Sequence, residues 1–287
     1  MSAEKMSADM DIPRQWIGRS EIREDIADLR SMIQLHATLD RKDAAPKPGD
    51  DVPACWHWMW FNPAEPWSAL GPDGHPKKGG FLPPIPLPRR MWAGSRLTAL
   101  RPIKVGQNIR KKSEIVDVSE RRGKTGRLIF LVQKLSIFAG NDLCIEEDYD
   151  AVYREEATAA SGQTQPPLPP EGAIWSKRIA PDPVLLFRYS AVTFNGHRIH
   201  YDQPYVTKEE GYPGLIVHGP LTATLLLELA RDSNPGKRIA FYSFRAVSPL
   251  YATAPFTVNG KPNGNGATLW AANPDGRLAM QAEVRFA

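Results

Sequence analysis

Gly219-Pro220-Leu221-Thr-Ala-Thr-Leu225-Leu226-Leu227-Glu-Leu229-Ala-Arg-Asp-Ser-Asn234-Pro235-Gly236 is the stretch on which the fold turns. Proline suits the first helical position, where its missing N–H would have no partner anyway and its fixed φ is already helical. Asn-Pro-Gly at the far end is stop chemistry. Strand-like runs follow at Arg238–Ala246, Thr268–Ala272 and Leu278–Phe286. They are separated by Asn263-Gly264-Asn265-Gly266 and Asn273-Pro274-Asp275-Gly276. A helix followed by a run of strands predicts an α+β unit in which one helix is embedded in an antiparallel sheet.

The first half repeats that order. Ser20 as N-cap, with Ile22, Ile26, Leu29 and Ile33 at helical spacing, predicts a helix beginning at residue 20. A Pro-, Gly- and Trp-rich stretch from Val52 to Pro88 comes next, including Trp56-His57-Trp58-Met59-Trp60. Then Ile115–Val118 and Leu128–Val132 flank a turn composition at Arg121–Gly126, the pattern of a hairpin. Between the halves, residues 156–172 read EATAASGQTQPPLPPEG, small, polar and Pro-rich, as a linker does. The predicted organisation is two domains, 12–155 and 173–287, joined by 156–172.

Composition narrows the functional classes. With 42% hydrophobic residues in a chain of 287, wholesale disorder is excluded, and 27 prolines argue against an all-helical bundle. A net charge of +4, with basic runs at Arg110–Lys112 and Arg121–Lys124 that carry no interleaved aromatics, gives no basis for a nucleic-acid partner. It suits a small anionic substrate better. Cys55 and Cys144 lie far apart without metal-ligand spacing and read as reduced thiols. The N-terminal residues lack the apolar core of a secretory signal, and no apolar run reaches membrane-spanning length. A cytoplasmic protein with no membrane association is expected.

The titratable side chains concentrate between residues 189 and 220. His197, His200 and His218 fall in this window with Asn195, Arg198 and Asp202, just before the Gly219-Pro220 helix start. A helix N-terminus presents unpaired N–H groups and the positive end of its dipole. The Gly219 amide, unobstructed by a side chain, is a natural donor to a carbonyl oxygen gaining negative charge. Histidine at 197 or 200 suits proton transfer near neutral pH. His200, Asp202 and His218 also spell a two-His-one-carboxylate iron set, the rival reading from another enzyme class.

Two segments, FNGHRIHYDQPYV from Phe194 and GYPGLIVHGPL from Gly211, resemble the MaoC-type hydratase/dehydratase signature. The similarity is to the branch containing mitochondrial-type 3-hydroxyacyl-thioester dehydratases and the mesaconyl-C4-CoA and itaconyl-CoA hydratases. Trp56-His57-Trp58, FLPPIPLPRRMWAGSRL from Phe81 and Asp148–Glu155 extend the resemblance into the first half. It implies a double hot-dog, two tandem domains each with a long central helix wrapped by an antiparallel sheet, and the motif in the second.

The resemblance further implies reversible hydration of an enoyl-CoA thioester without metal or redox cofactor. The acyl group is either short, branched and dicarboxylic or a fatty-acyl chain, and a non-catalytic acyl-CoA-binding protein is the alternative outside enzymes. The family pairs Asp with His five positions later, but Asn195 stands at the Asp place, and an amide cannot take a proton from water. His200 is then the main acid–base group and Asn195 positions the water. His197 or Asp202 supplies the second proton-transferring group, and Gly219 holds the thioester oxygen. For substrate binding the candidates are Trp58, for stacking or lining the tunnel, Arg245, for a CoA phosphate, and Arg198. Arg198 either pairs with a distal carboxylate or holds its own loop. A monomer or a homodimer accommodates two hot-dog units per chain.

Overall fold

The helix read at 219–236 forms as Gly219–Ser233, with every residue from Leu221 to Ala230 buried. Two of its polar groups find partners within the second half. Thr224 Oγ1 donates back to the Pro220 carbonyl at 2.8 Å, and the Ala223 carbonyl accepts from Tyr242 Oη at 2.7 Å. The buried Glu228 pairs with Arg231 one turn on and with Arg41 from the first half at 2.6 Å, and it accepts from Trp56 Nε1 at 2.9 Å. The helix is thus tied to the first half by a buried charge that has partners, the condition under which burial of a carboxylate is tolerated.

The computed structural model describes residues 11–123, 126–155 and 165–287. Its strands are β1 (Ser20–Ile26), β2 (Arg89–Ala99), β3 (Asn108–Gly123), β4 (Gly126–Ala139), β5 (Asp142–Arg154), β6 (Trp175–Ile179), β7 (Ile239–Ala246), β8 (Phe256–Asn263), β9 (Gly266–Ala272) and β10 (Leu278–Phe286). The helices are α1 (Leu29–Thr38), α2 (Pro183–Val192), α3 (Gln203–Lys208) and α4 (Gly219–Ser233). All ten strands form one antiparallel sheet in the order β1-β3-β4-β5-β2-β7-β10-β9-β8-β6. Strands from the first half occupy one side of this order and strands from the second half the other. They meet where β2 pairs with β7, Gly94 opposite Arg245 through Thr98 opposite Phe241.

This is the double hot-dog expected, with one asymmetry. In the second half α4 packs along the strands that enclose it. In the first half α1 has ten residues and packs against α2 and the 3-10 turn Trp56–Met59. One buried core runs through both halves, including Met32, Trp56 and Leu97 as well as Leu221, Leu226 and Val258. Residues 156–164 of the expected linker lie outside the described residues. Beyond them the Pro167 carbonyl accepts from Leu278 N at 2.9 Å, docking the chain at the start of β10. Among the described residues no helix is long and apolar enough to cross a membrane.

The predicted first helix is a correction. Ser20 opens β1, whose residues alternate in exposure and pair with β3, leaving Ile22 and Ile26 exposed at 58% and 51%. Positions four apart share a face in a strand as well as in a helix, so Ile22 and Ile26 fit both periods. The true cap is Asp28. Its Oδ1 accepts from Ser31 N at 2.8 Å and its Oδ2 from Trp60 Nε1 at 3.0 Å. Asp28→Ala is therefore expected to lower stability by about 1–2 kcal/mol in urea unfolding, while Ser20→Ala leaves the midpoint nearly unchanged. Equal effects of the two would reject this assignment.

Candidate functional site

The segment between α2 and α4 is built from short-range turns. After α2, Phe194 takes a left-handed φ of 48°, and the Asn195 side-chain oxygen accepts from His197 N at 3.0 Å. A 3-10 turn, Arg198–His200, carries His200 inward, where it is buried. His200 Nδ1 lies 2.7 Å from the Ile216 carbonyl. A carbonyl only accepts, so Nδ1 bears the proton and Nε2 keeps its lone pair. The His200 ring stacks on His218, centroids 3.6 Å apart and planes 20° from parallel.

His218 precedes α4 as its N-cap residue, with Nε2 2.8 Å from Ser190 Oγ of α2. Gly219 follows as the first helical residue, so its N–H has no partner within the helix. Gly219 has no side chain of its own to shield that N–H, and a Cβ built on it would meet nothing within 4 Å.

The first half completes the array. Residues 71–76 read Gly-Pro-Asp-Gly-His-Pro, and the Asp73 carbonyl accepts from Arg198 N at 2.9 Å. Gly74, at φ 86°, lies so close that a Cβ on it would sit 2.0 Å from the Gly196 carbonyl oxygen, so only glycine permits this docking. His75 is brought within 4.1 Å of His197, centroid to centroid, and His197 meets His200 edge-on at 5.4 Å. Behind His75, Asp73 Oδ2 lies 3.1 Å from its Nδ1. Asp73, His75, His197, His200 and His218 thus form one continuous series contributed by both halves.

Burial dominates the electrostatics of this series. It pushes His200 down to about 4, with a smaller push from nearby His75. Burial also lowers His197 and His218, reinforced by their neighbouring histidines, and lowers His75, reinforced by Arg90. For Asp73 burial is the largest influence and works the other way. The side-chain and backbone hydrogen bonds and electrostatic pull of His75, with His197, together outweigh it and hold the carboxyl below its ordinary range. At neutral pH the array is a row of uncharged imidazoles ending in a carboxylate.

The structure brings together His197, His200 and Gly219 as the sequence predicts, and gives Asn195 a place in the loop. Its carboxamide oxygen is spent on the His197 amide. Asp202 requires correction. Its Oδ1 caps α3 through Tyr205 N at 3.1 Å and its Oδ2 pairs with Arg198 at 2.8 Å, so its carboxylate is committed to a cap and an ion pair. Among the described residues the rival iron set of His200, Asp202 and His218 is not among the groups of side chains gathered within metal-ligating distance.

Arg198 is committed as well, to Asp202, to the Pro72 carbonyl at 2.9 Å and to the Tyr205 ring at 4.0 Å, so it holds its own loop. Trp58 donates to the buried Glu147 at 3.2 Å and packs against Trp92 and Phe244. Arg245 is exposed on β7 and makes no contact with the histidines. Asp73 and His75 are what sequence reasoning missed. Their signal was the mixture of turn residues with an Asp and a His, the same mixture that marks 195–202. One oxygen of Asp73 and one ring nitrogen each of His75 and His197 lie within 4.8 Å of one another, a set able to hold a divalent ion, although Asp73 and His75 already satisfy each other.

A buried imidazole with an unprotonated ring nitrogen beside a helix-start amide is equipment for acid–base chemistry at a carbonyl compound. A sequence model of the hydroxyacyl-thioester dehydratase type 2 family matches residues 55–252, and the chain belongs to that family of hydro-lyases. The mesaconyl-C4-CoA hydratase of Chloroflexus aurantiacus is 46% identical over 271 residues, spanning 94% of this chain and 96% of that protein. The solved MaoC-like dehydratase of Phytophthora capsici matches with a TM-score of 0.68 at 14% identity, over 94% of this chain and 95% of that one. A Mycobacterium tuberculosis protein described as having a double hotdog fold matches at 0.58 and 12% identity, over 93% and 95%. At these identities the two structures establish the fold.

Buried neutral histidines give a signed pH dependence. The unfolded chain takes up protons near pH 6.5, whereas folded His200 resists protonation down to about 4. The stability this group contributes is full above pH 6.5 and is lost as pH falls towards 4. Urea midpoints are expected to drop between pH 7.5 and pH 5, and His200→Gln should flatten that drop. Superimposable curves for the two proteins would show that His200 is not held neutral by the fold.

Proposed function

We propose that the chain catalyses reversible hydration of a short, branched, dicarboxylic enoyl-CoA of the mesaconyl-C4-CoA kind. The observation that carries the chemistry is the juxtaposition, through His218, of the unprotonated Nε2 of His200 with the Gly219 amide at the start of α4. The substrate class is supported by the 46% identity to the Chloroflexus enzyme over nearly the whole of both chains.

The thioester oxygen accepts from the Gly219 N–H at the positive end of α4, which stabilises the enolate as it forms. Water attacks Cβ, an O–C bond forms, and the C=C electron pair moves towards Cα and the thioester oxygen. His200 Nε2 takes the proton that the water gives up. Cα then gains a proton from the site, and dehydration is the same path reversed. His197, edge-on to His200 and backed by His75 and Asp73, is the second proton-handling group.

Asn195 serves as a positioning residue through the His197 amide. The 173–287 unit contributes the motif and the 12–155 unit completes it with Asp73 and His75. The reaction as written needs neither metal nor redox cofactor. A cytoplasmic location belongs to the same reading, supported by two buried thiols without disulfide partners, Cys55 and Cys144.

The test is a panel of mesaconyl-C4-, itaconyl-, crotonyl- and long-chain enoyl-CoA assayed by loss or gain of the conjugated thioester absorbance. The highest kcat/KM is expected on a short dicarboxylic ester, and activity confined to long chains would overturn the substrate assignment. His200→Ala is expected to lower kcat by about 10²–10⁴-fold. Turnover close to wild type would remove His200 from the mechanism.

A further inference from the structure

Arg198, the sequence's candidate for a distal carboxylate, is spent on its own loop, yet the site holds another cation. Arg90 lies on β2, half-buried, and no carboxylate among the described residues pairs with it. Its neighbours differ. Arg89 reaches Glu210 at 3.4 Å, and Arg96 reaches Asp150 at 2.6 Å. A half-buried guanidinium without a counter-ion inside a folded protein is a standing invitation to an anion.

The surroundings of Arg90 locate that anion. Across the β2–β5 ladder it faces Tyr153, which is 0% exposed and whose hydroxyl has the Arg90 guanidinium as its polar neighbour, leaving its own O–H proton to donate elsewhere. Lys78 closes the other side, its ammonium 5.5 Å from the Tyr153 ring centroid and bonded to the carbonyls of Ile85 and Leu87. The guanidinium also lies close enough to His75, His197 and Tyr149 to act on each electrostatically. Lys78 follows His75 by only three residues and packs on the Tyr153 ring that Arg90 faces, which places the guanidinium towards the His75–His197 end of the series. Acid–base groups work within hydrogen-bond reach of the acyl carbons, so a cation beside them is near the acyl group. The phosphates of coenzyme A are held away from that point by the whole length of the pantetheine arm.

We propose that Arg90 binds the free carboxylate of the acyl group, with the Tyr153 hydroxyl as a second donor, and so sets the preference for dicarboxylic over monocarboxylic esters. This rests on the dicarboxylic reading of the substrate given above. A planar guanidinium matches a carboxylate in two-point contact, which lysine cannot reproduce.

The experiment compares wild type, Arg90→Gln and Arg90→Lys in kcat/KM for mesaconyl-C4-CoA and crotonyl-CoA. The ratio of the two is expected to fall about 10- to 100-fold in Arg90→Gln, mainly through KM for the dicarboxylic ester, with Arg90→Lys intermediate. Tyr153→Phe should lower the same ratio by a smaller factor. An equal loss on both esters would assign Arg90 to a CoA phosphate or to folding, and an unchanged ratio would leave it without a part in selectivity. Either result overturns the proposal while the hydratase reading stands. A wild-type enzyme with no preference for dicarboxylic esters would instead overturn the substrate reading on which it rests. Arg90→Lys keeps the charge and supplies the comparison if Arg90→Gln fails to fold.

Discussion

Five residue pairs between β2 and β7, from Gly94 opposite Arg245 to Thr98 opposite Phe241, turn two sheets into one. The join needs Gly94, because a Cβ there would sit 2.5 Å from the Phe244 carbonyl oxygen. It also coincides with a register shift in the β2–β5 ladder between Trp92 and Gly94, the irregularity expected where a strand must re-aim its side chains. Hydrogen bonding on both sides of β2 leaves neither half with an exposed edge at the centre of the molecule. Everything that crosses between the halves follows from that join, including the pairing of Arg41 and Trp56 with Glu228 on α4 and the docking of residues 71–76 against 196–198.

The join also explains the chemistry. A histidine in a surface loop would titrate near its ordinary value and exchange protons with bulk water. Here the first half roofs over the motif of the second, and desolvation keeps four imidazoles uncharged with Asp73 as the one anion at the end of the row. The Ile216 carbonyl fixes the His200 tautomer, and the stacking of His200 on His218 fixes its ring plane beside the start of α4. With the imidazoles neutral, the positive end of the α4 dipole and the unpaired Arg90 are the favourable sites for negative charge. The imidazoles, left neutral, are able to accept a proton.

Asn195 illustrates how such a site tolerates a change in its motif. An amide cannot do the work of a carboxylate, but its oxygen still organises the turn through the His197 amide. The carboxylate near the array comes instead from Asp73, more than a hundred positions earlier, carried on a turn whose glycine lets two backbones touch.

The sequence by itself determined the α+β class, the start of α4 at Gly219-Pro220 and the two-fold helix-then-strands order, because these rest on local backbone preferences and on periodicity within a few turns. It also showed His197, His200 and Gly219 as a group, since they lie close along the chain. It misplaced the first helix because Ile22 and Ile26 satisfy the strand and helix periods alike, and it passed over β5, β6, β8, α2 and α3. Only the tertiary structure decided that Asp73 and His75 join the site and that no carboxylate among the described residues reaches Arg90. Those outcomes depend on which segments, distant in sequence, the sheet brings side by side. Distance along the chain does not encode such meetings.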